Sequence, residues 1–214
     1  MGAAAGWRYW SRMTSDPLPL EGRFVRLEPY AEPLKAKLAQ ALDVDPDAWS
    51  LLSRPGDGAH FDQWWADAAK TRAAGTGISF AVRRLPDRRI VGTTSYLNLR
   101  PADRIAEIGA TFLHPDVRAG AVNPGMKRLM LAHAFDGGLF GEPAHRVEIV
   151  TDALNSRSQA AIAKLGAVRE GVLRRHKVTW TGRVRDTVMF SIIAEEWPPV
   201  RTGLDARLAA FPAA

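Results

Sequence analysis

The chain has no cysteine. That excludes disulfides, thiolate metal ligands and a cysteine nucleophile, and it fits a cytoplasmic protein. It also has no run of about 18 apolar residues, so no membrane-spanning helix is expected. The first residues lack the basic–apolar–small order of a signal peptide. Neither GxxxxGK[ST] nor a GxGxxG following a strand occurs, so the common phosphate-binding signatures are missing. His114 and His133 have no partner at metal-ligand spacing, and no metal site is indicated. There is no long Lys/Arg block and no basic run interleaved with aromatics. The net charge of +6 and pI of about 10.0 therefore read as an arginine-biased surface rather than a nucleic-acid site.

What is present belongs to a globular domain. Apolar residues make up 46% of the 214 and charged residues 24%. Residues 1–19 show no period and read as a disordered extension, with Met13 as a candidate start and 1–12 as dispensable; 20–214 read as one domain. Alternation marks strands at 22–30, 78–82, 90–99, 105–113, 146–151, 168–179 and 183–193. Helical spacing links Leu34, Leu38 and Leu42, then Phe61, Trp64, Trp65 and Ala68, and finally Val200, Leu204, Leu208 and Phe211. Trp64 and Trp65 read first as core, with a pocket lip as the other reading. Thr181-Gly182 turns the last two strands into a hairpin.

The chain is organised around 105–127. Ile105 to Leu113 is an apolar strand whose one acid is Glu107. His114-Pro115-Asp116 stops it. Arg118, Ala119, Gly120, Ala121, Val122 and Asn123 form a turn of mostly small residues, and Pro124 suits the first turn of a helix. Such a turn presents free N–H groups and the positive end of a helix dipole to an anion. A tight strand–helix connection is the alternative. Further on, Ser156 and Gln159 read as a capping box for a helix ending at Gly166.

Four stretches carry a family likeness: EIGATFLHP with its loop, VNPGMKRLMLAHAF, RVEIVTDALNSRSQAAIAKLGAVREGVLRRH, and RVRDTVMFSIIAEEWP. With the element order, they resemble the GNAT superfamily of N-acetyltransferases, and within it the RimJ/RimL-like branch that includes ribosomal-protein N-terminal acetyltransferases. The likeness spans roughly 20–208. It implies an α/β (α+β) GNAT fold: a mostly antiparallel sheet of six to seven strands, splayed between its fourth and fifth, flanked by helices. It implies acetyl-CoA as co-substrate, with pantetheine between the strands 105–113 and 146–151. The pyrophosphate would sit on the loop Arg118–Asn123, and Asn155 would contact coenzyme A.

Some of the family pattern is altered. Against Q/R-x-x-G-x-G/A, Arg118 matches, but Ala121 replaces the first Gly and Asn123 the final small residue. The helix Tyr used by many relatives as general acid falls on Ile162. A RimL-like Ser falls on Ser158, which becomes the candidate proton donor and a coenzyme contact. That branch's basic Glu falls on Lys177. Backbone N–H groups near Phe112 and Leu113 are candidate oxyanion donors. Glu107 is the candidate base, directly or through water, because an apolar strand desolvates a carboxylate; a salt bridge to Arg104 or Arg146 is its alternative role. Glu148 and Asp186 read as structural. The resemblance leaves three functions: acetylation of a protein N-terminal or other primary amine, acetylation of a small-molecule amine, or a silent acyl-CoA-binding protein. Contact with nucleic acid is expected only through the ribosome, and a homodimer is left open.

Overall fold

The computed structural model describes residues 17–212. The extension read at 1–19 therefore lies outside the described residues except for 17–19, which join no helix or strand. Eight strands form one sheet. They are β1 Leu20–Glu21, β2 Val25–Pro29, β3 Ile78–Arg84, β4 Ile90–Arg100, β5 Ile105–Leu113, β6 Arg146–Asp152, β7 Val168–Val178 and β8 Val184–Ile193, in the order β1-β2-β3-β4-β5-β6-β8-β7. Seven match the strands read from alternation. The eighth, β1, has two residues and is too short to show a period.

Every neighbouring pair is antiparallel except β5 and β6. A parallel pair needs a crossover, and the helix α4, Val122–Phe135, supplies it. The others are α1 Lys35–Leu42, α2 Pro46–Ser50, α3 Phe61–Ala73, α5 Ser156–Ala163 and α6 Trp197–Ala209. No helix among the described residues is long and apolar enough to cross a membrane.

Helices cover both faces of the sheet, and the strands show it residue by residue. Val82, Val91 and Leu113 pack into one core with Met126 and Met130 of α4 and Leu204 of α6. Their neighbours Ala81, Ile90 and Phe112 pack into a second core with Leu38, Trp49 and Phe61 from the α1–α3 side. Side chains of consecutive strand residues point to opposite faces, so β3, β4 and β5 are apolar on both. This explains why the whole Ile90–Tyr96 stretch is buried.

Within the second core, Trp49 stacks on Phe112 with centroids 4.3 Å apart, and its Nε1 donates to the Leu42 carbonyl at 3.0 Å. Tyr96 crosses the first core and its hydroxyl donates to the Met130 carbonyl at 2.5 Å. Both polar tips are thus satisfied where a buried unpaired donor would cost about 1–3 kcal/mol.

Candidate active site

The site is made by the failure of two strands to stay paired. β5 and β6 are in register at Ile105–Arg146, Ala106–Val147 and Glu107–Glu148, and nowhere beyond. β6 continues along β8 as far as Asp152. From Ile108 onward the edge of β5 that faces β6 has no strand partner, which leaves backbone N–H and C=O groups open in a wedge. A bulge reinforces the divergence. The β4–β5 register steps from Thr93–Phe112 to Ser95–Gly109, so Ala110 and Thr111 are left without an opposing pair, and Ala110 takes φ of +48°.

A cavity of about 610 Å³ runs through this wedge. Glu107, Ile108, Gly109, Ala110 and Thr111 line it from β5, and Ile149 to Asp152 from β6. The two faces of the sheet contribute different chemistry. Ala106 and Ile108 point into the core under α4, so Glu107 projects from the opposite, α1–α3 face. Glu107 is 6% exposed. Asn98 Nδ2 donates to its Oε2 at 2.7 Å, and Oε1 reaches over the Cα of Gly109, where an added Cβ would stand 2.9 Å away. Any side chain at 109 would displace the carboxylate. The salt-bridge alternative does not occur: Arg104 pairs with Glu142 at 2.6 Å, and Arg146 pairs with Glu148 at 3.0 Å and Glu170 at 2.5 Å. Glu148 also accepts from Arg100 at 2.7 Å, and Asp186 from the Arg175 N–H at 2.6 Å, so both acids are held in structural bonds.

The α4 face holds the small-residue loop. Ala119 is the residue in the left-handed region, at φ +62°, whereas Ala121 sits at −71°, −17°, in the helical region. The backbone at 121 therefore has no need of glycine, and the departure from the family pattern there is sterically neutral. The N–H groups of Gly120 and Ala121 make no backbone hydrogen bond among the described residues. Arg118 is committed elsewhere: Nε donates to the Leu113 carbonyl at 2.9 Å, the guanidinium pairs with Asp45, and it lies 5.5 Å over the Phe112 ring. That pairing holds the Asp45 carboxyl below its usual range. Asp45 caps α2, so Arg118 braces the loop against the opposite helical layer. Val122 is buried, and Asn123 reaches the cavity wall.

One turn beyond Asn123, Lys127 also lines the cavity. It is 5% exposed, and its Nζ donates to Thr111 Oγ1 at 3.1 Å. No carboxylate lies within ion-pair reach of it among the described residues, and burial pushes its pKa down to about 7. Sequence reading passed over it. The signal was a lysine between Met126 and Met130, two methionines that the structure buries in the first core.

The helix after β6 closes the wedge. Its cap is Asn155, not Ser156: Asn155 Oδ1 accepts from the Ser158 N–H at 2.9 Å, and the Gln159 amide donates to the Ala153 carbonyl at 2.9 Å. No capping box forms at Ser156 and Gln159. Asn155 and Ser158 both line the cavity, and the buried Ile162 forms an apolar wall where many relatives carry Tyr. Phe112 and Leu113 line the second and first cores and are not part of the cavity wall; the β5 residues that are include Ala110 and Thr111. Trp64 lines the cavity as well, and its Nε1 donates to the Tyr30 hydroxyl at 3.0 Å, so it is both core and lip.

Two parallel strands that part, a bulge in one of them and a helix N-terminus beside the opening give this chain the fold of the GNAT acetyltransferases. Residues 25–168 match the GNAT acetyltransferase domain, and the chain belongs to that family. It is an acetyl-CoA-dependent N-acetyltransferase. No curated protein sequence matches it. Among solved structures it is similar to a GCN5-related N-acetyltransferase from Brucella melitensis, with TM-score 0.81 and 28% identity over 91% of this chain and 87% of that one. It is also similar to a candidate acetyltransferase from T. thermophilus, with TM-score 0.77 and 34% identity over 91% and 98%. Mycobacterium smegmatis RimJ, solved with a CoA-disulfide, shares the fold at TM-score 0.72 and 22% identity over 89% and 93%.

Proposed function

We propose that the protein is a RimJ/RimL-like enzyme that acetylates a primary amine, the N-terminal amine of a protein. The observation that carries this reading is the two-sided wedge. The loop and α4 lie on one face of β5, Glu107 lies on the other, and the unpaired edge of β5 joins them. The donor enters from the α4 face, its pyrophosphate on the N–H groups of the loop Gly120–Asn123 and on the helix dipole. Pantetheine lies along the open edge of β5, and Asn155 keeps its amide nitrogen for the donor while its oxygen caps α5. The RimJ complex supports coenzyme A as the ligand of this architecture.

The acceptor amine enters over Glu107. Glu107 takes the ammonium proton, directly or through water, and the neutral nitrogen attacks the thioester carbon. The C–N bond forms and the C–S bond breaks. Backbone N–H groups at the Ala110–Thr111 bulge face the developing oxyanion; as the C–S bond breaks, Ser158 gives its hydroxyl proton to the departing thiolate and takes up the second proton shed by the attacking nitrogen, which restores the hydroxyl. Glu107 and Ser158 are thus the proposed catalytic pair. The test is a mass-spectrometric acceptor screen with acetyl-CoA, set beside thiol release. N-terminal peptides gain one acetyl group on the α-amine under the proposal. Acetylation of small amines alone assigns the enzyme to the small-molecule class, and coenzyme binding with no thiol release from any amine assigns it to silent acyl-CoA binding.

The donor placement has its own test. A Cβ at Gly120 would meet only the Val117 carbonyl, at an ordinary 3.5 Å, and the residue is not in the left-handed region. Gly120→Leu is therefore expected to fold with an unchanged melting temperature. Its side chain would cover the loop N–H groups, and calorimetry should show acetyl-CoA affinity reduced by about tenfold or more. Wild-type affinity in the folded variant moves the pyrophosphate off this loop.

A further inference from the structure

The acceptor side of the cavity holds more positive charge than its own acids neutralise. Arg185 on β8 and Lys177 on β7 are register partners, and both line the cavity. Like charges directly opposite one another on a sheet repel. The Arg185 side chain is 5% exposed, and its Nη1 donates to Ser53 Oγ at 2.8 Å. Its Nε is buried without a hydrogen-bond partner among the described residues. The carboxylate that pairs with it, Asp152, lies 3.8 Å away, is fully buried, also pairs with Arg183, and accepts the Leu154 N–H at 2.9 Å. Lys177 makes no ion pair among the described residues.

These cations share a face with the candidate base. Val188, Phe190 and Ile192 of β8 point into the core under α4, so Arg185 points the other way, as Glu107 does. Burial lowers the pKa of Arg185 and the neighbouring Arg183 adds to that, while the carboxylates of Asp152 and Glu107 oppose it. The acid on the facing α3 wall is not available to them: Asp67 pairs with Arg54 at 2.6 Å.

Resting on the reading of an N-terminal amine acceptor, we propose that Arg185 and Lys177 hold a carboxylate of the acceptor, an acidic side chain within the first two residues of the acetylated chain. The amine lies at Glu107 and the carboxylate at the cation pair. Arg185 and Lys177 present two adjacent cations to the cavity, and the anion relieves the repulsion between them. A neutral isostere offers no charge to offset that repulsion, so it binds less well than the acid.

The experiment compares two N-terminal peptides that differ only by Glu or Gln at the second residue, with kcat/KM read from thiol release. A free amino acid carrying a terminal carboxylate and its carboxamide form a second pair. Wild-type protein should favour the Glu peptide by about tenfold or more. In Lys177→Glu, which loses no ion pair and should keep its melting temperature, that ratio should fall to about one or below. Arg185→Lys tests the buried member. Equal turnover of the Glu and Gln peptides by wild type overturns the anion inference while leaving the N-terminal reading standing. Turnover confined to the small carboxylated amine, with its amide rejected, sinks the N-terminal reading and keeps the anion site. If no amine turns over, calorimetry of the two peptides on coenzyme A-saturated protein decides. Equal binding, or none, overturns the proposal.

Discussion

Glu107→Gln is expected to lower kcat on the order of 10²-fold or more, with acetyl-CoA affinity and melting temperature at wild-type values. The geometry makes this a clean substitution. Glu107 forms no ion pair, because Arg104 and Arg146 are both taken by other acids. Its hydrogen bond comes from the Asn98 amide to Oε2, and a Gln carbonyl oxygen accepts that bond equally well. The amide nitrogen then replaces the oxygen over Gly109, and it cannot take a proton. What is lost is basicity, with shape and packing retained. The acid-side limb that a carboxylate base imposes on the pH–rate profile should disappear with it. Near-normal turnover with a verified acceptor removes Glu107 from the mechanism. Glu148 is then no substitute, since two guanidiniums already hold it.

How much of this could be read from the chain follows from which forces are local. The strands were legible because both faces of the sheet are covered by helices. That writes β-branched and aromatic runs into β3, β4 and β5, and turn residues between them. The two residues of β1 carry no such pattern. The wedge was legible only through family likeness, since nothing in the composition of Ile105–Leu113 says where its pairing with β6 stops. The bulge is equally silent: Ala110 and Thr111 are ordinary strand residues, and only the register against β4 exposes them.

The site residues divide the same way. Glu107 stood out as a lone acid on an apolar strand, and it lines the cavity. Asn98, which orients it, lies nine positions earlier on another strand and carries no motif. Arg185 and Lys177 look like ordinary hairpin cations until the hairpin is placed beside β6. Asn155 took over the cap from Ser156 because its side chain starts one residue earlier and reaches the Ser158 N–H. Both residue types cap well, so sequence does not choose between them. Arg118 matched the expected loop residue by type, yet its guanidinium is spent on Asp45, a partner 73 positions away.

Lys127→Met is expected to stabilise the free protein, and to do so much more at pH 6 than at pH 10. Burial lowers the folded-state pKa of Lys127 from 10.5 to about 7. Below about pH 7 the amine is charged in both folded and unfolded chains, and the folded state carries the full cost of desolvating it. Between about 7 and 10.5 the unfolded chain holds a proton that the folded one has released, so stability rises with pH across that window. Above it the amine is neutral in both states and the cost is gone. At about 1.4 kcal/mol per unit, the span sets an upper limit of roughly 5 kcal/mol on the wild-type penalty at low pH. Met matches the length of the side chain and fits an apolar helix face between Met126 and Met130. Thr111 keeps the Thr94 hydroxyl, 2.9 Å away, as a partner. Denaturant unfolding of both proteins at the two pH values isolates this term, because every other titrating group is common to them. A stability difference that is the same at pH 6 and pH 10 would show that Lys127 titrates as it does in the unfolded chain, and that Thr111 and the cavity solvate its ammonium fully.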